Sequence, residues 1–278
     1  MLNADLHCHS NFSDGTLTPT TLAARAKANG VDVWAMTDHD EVGGLAEARA
    51  AAAALDLPFV AGVEISITWS GQTVHIVGLQ IDETNETLVN GLATTRGGRE
   101  PRAREIAAQL EKIGVKGAYE GALKFVDNPD LISRTHFARY IIELGLCDNL
   151  HDVFANYLGE GKPGFVPHRW ASLQNSVEWI RAAGGIAVIA HPGRYKFTDL
   201  AFDALFNEFK SFGGVGIEVT TGSHTVDQYD FYAKVAKDYD FLASRGSDFH
   251  GPGESRVDLG GLPPLPPGVK PVWHNWGW

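Results

Sequence analysis

The stretch DLHCH, residues 5–9, sets two histidines either side of one cysteine. Side chains two apart on a β-strand share a face, so His7 and His9 would point together while Cys8 turns away. Two imidazoles so placed can chelate a metal ion. Asp14 follows in a Ser-Asp-Gly turn, and donors of the same kinds recur downstream. His39 ends VWAMTDHD, Glu64 ends FVAGVEIS, His191 lies in IAVIAHP, and Asp248 and His250 end FLASRGSDFH. One His-x-His pair is weak evidence for metal. A whole set of donors at the ends of apolar runs is strong evidence, because the active sites of parallel α/β barrels gather at the carboxyl ends of the strands.

His75 is placed by a separate argument. EISITWSGQTVHIV reads as two strands joined by the two-residue turn Ser70-Gly71, which would pair Trp69 with Gln72. Ser66 then faces His75, and Glu64 lies diagonally across from it at about 7–8 Å between Cα atoms. Asp38, Asp40 and Glu218 neighbour these donors and suit the orienting of a ligating imidazole rather than ligation itself. Imidazole and carboxylate without thiolate suit manganese, iron or zinc at a catalytic site, and argue against a closed structural zinc. Nine donors are too many for one ion.

The elements that must position these groups follow from the hydrophobic pattern. The first third of the chain predicts strand, helix, strand, helix, strand, strand, with a helix from Thr18 that has Pro19 at its first position and Gly30 past its end. After residue 175 strands and helices alternate again, and IAVIA and VGIEV read as strands buried on both faces. Residues 96–169 break the rhythm with helical and turn-rich sequence. The expected organisation is therefore an α/β barrel from residues 1–95 and 170–278, carrying a helical insertion over 96–169 that would act as lid and substrate-binding element. The tail LGGLPPLPPGVKPVWHNWGW predicts an extended strap whose tryptophans dock on the barrel.

Composition narrows the function classes. The net charge of −11 argues against a protein that coats nucleic acid through a broad basic surface. Residues 96–169 nonetheless hold 11 of the 23 basic and 10 of the 34 acidic side chains, so the insertion differs electrostatically from the remainder. Two cysteines are too few for a disulfide framework, and a reducing cytoplasm is expected. The sequence opens without a basic segment leading into an apolar run, and no stretch approaches the ~18 apolar residues of a membrane span. No membrane association and no obligate protein partner are expected.

At its donor motifs the sequence resembles the PHP (polymerase and histidinol phosphatase) family. The likeness rests on DLHCHSNFSDG, TDHD with VEIS, VHIVG, AHPGR and SDFH, in the family's order across residues 5–250. It implies a distorted (β/α)7 barrel with a trinuclear metal centre. His7, His9, Glu64 and Asp248 would hold one ion, Glu64, His75 and His191 a second, with Glu64 bridging, and Asp14, His39 and His250 a third. Manganese is the expected metal, with iron or zinc as alternatives. Three divalent ions against three carboxylates leave a positive pocket that attracts a phosphate dianion, and a metal-bound hydroxide is the expected nucleophile.

The short chain with one insertion is most like the branch that includes 3′,5′-nucleotide bisphosphate phosphatases and a 5′-to-3′ exoribonuclease, and less like histidinol phosphatases. The expected activity is hydrolysis of the 3′-phosphate of 3′,5′-bisphosphonucleotides such as adenosine 3′,5′-bisphosphate. Alternatives are exonucleolytic cleavage of short 5′-phosphorylated RNA, another phosphomonoesterase activity such as histidinol phosphatase, or a non-catalytic metal-binding regulatory domain. Guanidinium matches phosphate through paired hydrogen bonds, so Arg134, His136 and Arg194 are the expected substrate-binding residues, and Arg194 is also a possible stabiliser of the reacting phosphate. Lys162, His168, Arg169 and Arg245 are weaker candidates, and Tyr157, Phe165, Trp170 and Tyr195 are candidates to stack a base.

Overall fold

The computed structural model describes residues 2–277, and its first elements follow the expected alternation. They are β1 (Ala4–Asp5), α1 (Pro19–Ala28), β2 (Val33–Met36), α2 (Leu45–Ala54), β3 (Phe59–Trp69) and β4 (Gln72–Leu79). The start of α1 is dictated locally: the Thr18 hydroxyl accepts from the Thr21 amide, and Pro19 stands where no amide donor is needed. Gly30, at φ 76°, turns the chain out of the helix. The β3–β4 hairpin has the register read from its turn, with Trp69 opposite Gln72 and Ser66 opposite His75. Ser70 and Gly71 both take positive φ, 47° and 77°, as a two-residue turn matched to strand twist requires.

Then come α3 (Glu86–Arg96), α4 (Arg99–Lys112), α5 (Ala118–Leu123), α6 (Arg134–Glu143) and α7 (Leu150–Val153), which runs on as a π-helical turn over Phe154–Leu158. α3 is an element that the sequence pattern did not disclose. Its buried face is Leu88, Gly91, Leu92 and Thr95, and a glycine with three threonines and an asparagine lowers its helix propensity. It lies against α8 (Leu173–Ala182), where a Cβ on Gly91 would come within 2.4 Å of the Trp179 ring. The chain closes with β5 (Ile186–Ile189), α9 (Asp199–Ser211), β6 (Gly216–Thr221), α10 (Val226–Asp238) and β7 (Leu242–Gly246).

Among the described residues seven strands form one sheet in chain order. Neighbours run parallel except around β4, which is antiparallel to both β3 and β5. Backbone bonds from the Leu6 amide to the Arg245 carbonyl, 3.0 Å, and from the Asp248 amide to the His7 carbonyl, 2.8 Å, draw the two edges together. The result is a nearly closed β/α barrel. Because β4 runs backwards, its first half lies at the same rim as the carboxyl ends of the other strands. That is why His75, near its start, meets Glu64.

Inside the barrel Ala4, Leu6, Val33, Ala35, Val77 and Val188 share an apolar cluster, onto which Val272, Trp273 and Trp276 of the C-terminal strap pack. Trp278 lies outside the described residues. Residues between Ala103 and Val166 gather around a separate apolar cluster that includes Ile106, Leu110, Phe137, Ile141 and Leu158. No helix among the described residues is long and apolar enough to cross a membrane.

Arg245, flagged in the sequence for its nearness to Asp248, ties the strap down instead. Its guanidinium donates to the backbone carbonyls of Ala4, Leu262 and Pro263, and the side chain is buried. Arg245→Ala strands the buried carbonyls of Ala4 and Leu262 and removes the part-buried bond to Pro263, so it should lower unfolding free energy by about 3 kcal/mol. Urea denaturation measures this, and an unchanged midpoint would contradict it.

Candidate metal centre

All nine sequence-predicted donors converge on the rim formed by the carboxyl ends of the parallel strands. His7 and His9 face the same way from the exit of β1, their Nε2 atoms 3.2 Å apart. Cys8 points into the core, where the Trp34 indole donates to its sulfur. His191 and Asp248, just past β5 and β7, both hold positive φ, 28° and 55°. Non-glycine residues rarely adopt that conformation, and such strain is retained mainly where a side chain must be aimed.

Glu64 is the hub. Its Oε1 lies 3.0 Å from His75 Nδ1 and 2.8 Å from His191 Nε2, and its Oε2 lies 3.4 Å from Nε2 of both His7 and His9 and 2.9 Å from His39 Nδ1. Asp248 Oδ1 stands 3.2 Å from His9 Nε2 and 3.5 Å from His7 Nε2. Asp14 Oδ1 stands 3.4 Å from His250 Nε2, 3.8 Å from His39 Nε2 and 4.0 Å from His9 Nδ1. Four groupings of three or more donors are compact enough for an ion: His7, His9 and Asp248; His7, Glu64 and His191; His39, Glu64 and His75; and His9, Asp14, His39 and His250.

The surrounding acids orient these donors. Glu218 Oε1 is 2.7 Å from His7 Nδ1, and its Oε2 accepts from the His191 amide at 2.6 Å. Asp38 accepts from the Ser10 amide and from the hydroxyls of Ser10 and Ser13, which ties down the loop leading to Asp14. Burial pushes the Asp38 carboxyl up to about 6 against those bonds.

The donors fit a cation. His9 Nδ1, Asp14 Oδ1, His39 Nδ1 and Glu64 Oε2 are buried with no hydrogen-bond partner. Buried polar atoms are rarely left so, and four orphaned donor atoms facing one another are what a bound metal would satisfy. Burial opposes charge on Asp14, Glu64 and Asp248, yet the encircling histidines hold all three carboxyls well below the ordinary range. His9 is pushed down to about 3, first by burial and then by His250 and His39, while His191 falls to about 3 through burial and Arg194. Both therefore keep an unprotonated nitrogen at neutral pH.

A cavity of about 120 Å³ opens onto this cluster. Of the predicted substrate residues, Arg134 and Arg194 line it and His136 does not. His136 is buried in the first turn of α6, its Nδ1 accepting from the Ser133 amide, and burial pushes it down to about 4. Arg194 Nη1 donates to Asp248 Oδ2 at 3.1 Å. Arg99, Arg102, Ser133 and Thr135 also line the cavity and were not singled out in the sequence. Arg99 and Arg102 stand three apart on α4, a spacing that puts two guanidiniums on one helix face and was the available signal.

Arg99 pairs with buried Asp40, and both arginines lie over the Trp170 ring, at 5.0 and 5.2 Å. Among the described residues neither Arg102 nor Arg134 has a carboxylate partner; each donates to a backbone carbonyl, of Val166 and Leu158. Burial and the other arginines push Arg102 down to about 9 and Arg134 to about 10. Trp170 itself is buried, and Phe165 and Tyr195 line an adjoining cavity of about 460 Å³.

Comparison with known proteins agrees with this geometry. Residues 5–222 match the PHP domain, and the chain belongs to the PHP family. It is 50% identical over 275 residues, 99% of this chain and 96% of the relative, to a 3′,5′-nucleoside bisphosphate phosphatase of Chromobacterium violaceum. It is 44% identical over 271 residues, 98% of each chain, to a 5′-3′ exoribonuclease of Haemophilus influenzae. A solved amidohydrolase from Chromobacterium violaceum, with bound sulfate and no metal, superposes with a TM-score of 0.95 at 50% identity, covering 98% of this chain and 94% of that one.

Metal binding should be coupled to protons. Burial works against charge on His250, but Asp14 and Asp248 outweigh it and raise the imidazole to about 9. The metal-free site thus holds a proton there at pH 7 that an entering cation must expel, so apparent affinity should rise with pH up to about 9. Calorimetric titration with Mn²⁺ in buffers of different ionisation enthalpy should show net proton release at pH 7, and less in His250→Ala. Absence of proton release would contradict this.

Proposed function

We propose that the chain is a metal-dependent phosphatase that removes the 3′-phosphate of 3′,5′-bisphosphonucleotides. One observation carries the reading: two guanidiniums without acidic partners among the described residues, Arg102 and Arg134, stand beside the donor cluster in one cavity of an acidic protein. A substrate with two phosphates matches both parts, and a simple monophosphate leaves the arginines unused. The Chromobacterium violaceum relative, a 3′,5′-nucleoside bisphosphate phosphatase 50% identical to this chain, supports the same reading.

On this reading three divalent ions, manganese first and iron or zinc as alternatives, would be held by His7, His9, Glu64 and Asp248, by Glu64, His75 and His191, and by Asp14, His39 and His250. Ions bound there supply a Lewis acid for the phosphoryl oxygens and a route to a nucleophile at neutral pH. The rest is done by the chain. Arg102 and Arg134 clamp the 5′-phosphate by charge-assisted hydrogen bonds and so fix the position of the 3′-phosphate. Arg194, with half its side chain exposed and one nitrogen on Asp248, has N–H groups left for the oxygens of the reacting phosphate. Phe165 and Tyr195 flank the space left for the nucleoside. Residues 96–169 form the lid and substrate-binding part of this arrangement. Both cysteines are free, which suits a cytoplasmic enzyme.

Phosphate release in Mn²⁺ from adenosine 3′,5′-bisphosphate, adenosine 5′-monophosphate and histidinol phosphate tests the reading. The bisphosphate should be strongly preferred, and equal rates would contradict it. His9→Ala and Asp248→Ala should lower kcat/KM at least about a hundredfold with unchanged circular dichroism. Arg134→Ala should raise KM for the bisphosphate at least about tenfold while leaving adenosine 3′-monophosphate, which lacks the clamped phosphate, nearly unaffected.

A further inference from the structure

Most of the metal donors stand on a strand or close past its end, but Asp14 stands in a turn of the loop that follows β1. A side chain carried on a loop is aimed less firmly than one on a strand unless other elements hold it. Asp14 is held from outside the barrel, and its two oxygens are divided between two tasks. Oδ1 faces His250 and His39 and is buried with no hydrogen-bond partner. Oδ2 accepts from the Thr135 hydroxyl at 2.9 Å and from the Ser133 hydroxyl at 3.3 Å.

Both hydroxyls belong to the start of α6, where Ser133 is the N-cap and Thr135 lies in the first turn. The same helix grips the backbone of the Asp14 loop. Arg139 donates to the Asp14 carbonyl at 2.6 Å, and His136 hydrogen-bonds the backbone of Ser13. Arg139 also pairs with Glu254 through bonds of 2.9 and 2.8 Å, and Glu254 sits in the loop that follows His250. One buried guanidinium thus ties the loop of Asp14 to the loop after His250.

We infer that the N-terminal half of α6 completes the site of the third ion, with Thr135 as the positioning residue that aims Asp14 Oδ1 into it. This rests on the assignment of Asp14, His39 and His250 to one ion in the proposed function. Hydrogen bonds to a charged carboxylate are strong, so anchoring Oδ2 stops the group from rotating before an ion arrives. The ion then has less to order on binding, and Oδ1 is left as the oxygen with unmet lone pairs. One helical turn also joins two functions, because Arg134 lies between Ser133 and Thr135 and lines the same cavity. Lifting α6 off the barrel would withdraw that guanidinium from the cavity and release Asp14 in the same movement. The insertion is then part of the metal centre as well as of the substrate site, and its docking sets how firmly the third ion is held.

Calorimetric titration of the metal-free full chain with Mn²⁺ tests this in the wild type, Thr135→Val, Thr135→Ser and Asp14→Asn. Asp14→Asn identifies the binding step that belongs to Asp14 by removing it. Thr135→Val keeps the shape of threonine without its hydroxyl, and should weaken that step at least about tenfold while leaving the other steps and the circular dichroism unchanged. Thr135→Ser restores the hydroxyl and should return the affinity to near the wild-type value, which a merely structural role for the methyl group would not do. An unchanged step in Thr135→Val, a loss spread evenly over all steps, or no rescue by serine would overturn the inference. If the wild type binds fewer than three ions, the three-ion reading falls, and the inference is decided by whether Thr135→Val weakens the step that Asp14→Asn removes. If Asp14→Asn removes no step, the inference falls as well.

Discussion

The structure depends on one buried carboxylate. Glu64 has no access to water and is ringed by His7, His9, His39, His75 and His191. An isolated ionised carboxylate in such surroundings costs many kcal/mol, and the encircling histidines offset that cost by holding Glu64 in its charged form. Cations between these atoms reverse the sign. Glu64 Oε2, His39 Nδ1 and His9 Nδ1, buried with no hydrogen-bond partner, record the demand.

Much of the fold serves to make that convergence possible. The donors come from exits of strands far apart in sequence, and they meet because the strands lie in chain order with both edges drawn together. The one antiparallel strand brings His75 to the common rim. Glu218 grips His7 with one oxygen and the His191 amide with the other, so one carboxylate sets the distance between two strands' ligands. Beside these donors, residues 96–169 contribute Arg99, Arg102 and Arg134 to the lining of the same cavity. On the proposed function, the barrel would hold cations and the insertion the substrate's charge.

How much of this was legible depended on whether a signal was local. The His7/His9 pair, the turn at Ser70-Gly71 and the register that sets Glu64 beside His75 rest on strand periodicity and turn chemistry, and the structure reproduces them. Roles fixed by long-range packing were not legible. Arg245 sits three residues from Asp248 yet spends its donors on backbone carbonyls 17 to 241 residues away. His136 sits two residues from Arg134 but caps its own helix. The three-residue spacing of Arg99 and Arg102 marks a shared helix face, but nothing local shows that Trp170 will lie beneath them. α3 was hidden by its glycine, asparagine and three threonines, which are poor helix formers.

The most direct test of the account is the metal content of Glu64→Gln beside the wild type, measured by plasma mass spectrometry after reconstitution with Mn²⁺ and removal of the unbound ion. The account predicts three ions per wild-type chain and one in the variant, at Asp14, His39 and His250, because the other two ions both depend on Glu64. Equal metal content in the two proteins would contradict the central place given to that carboxylate.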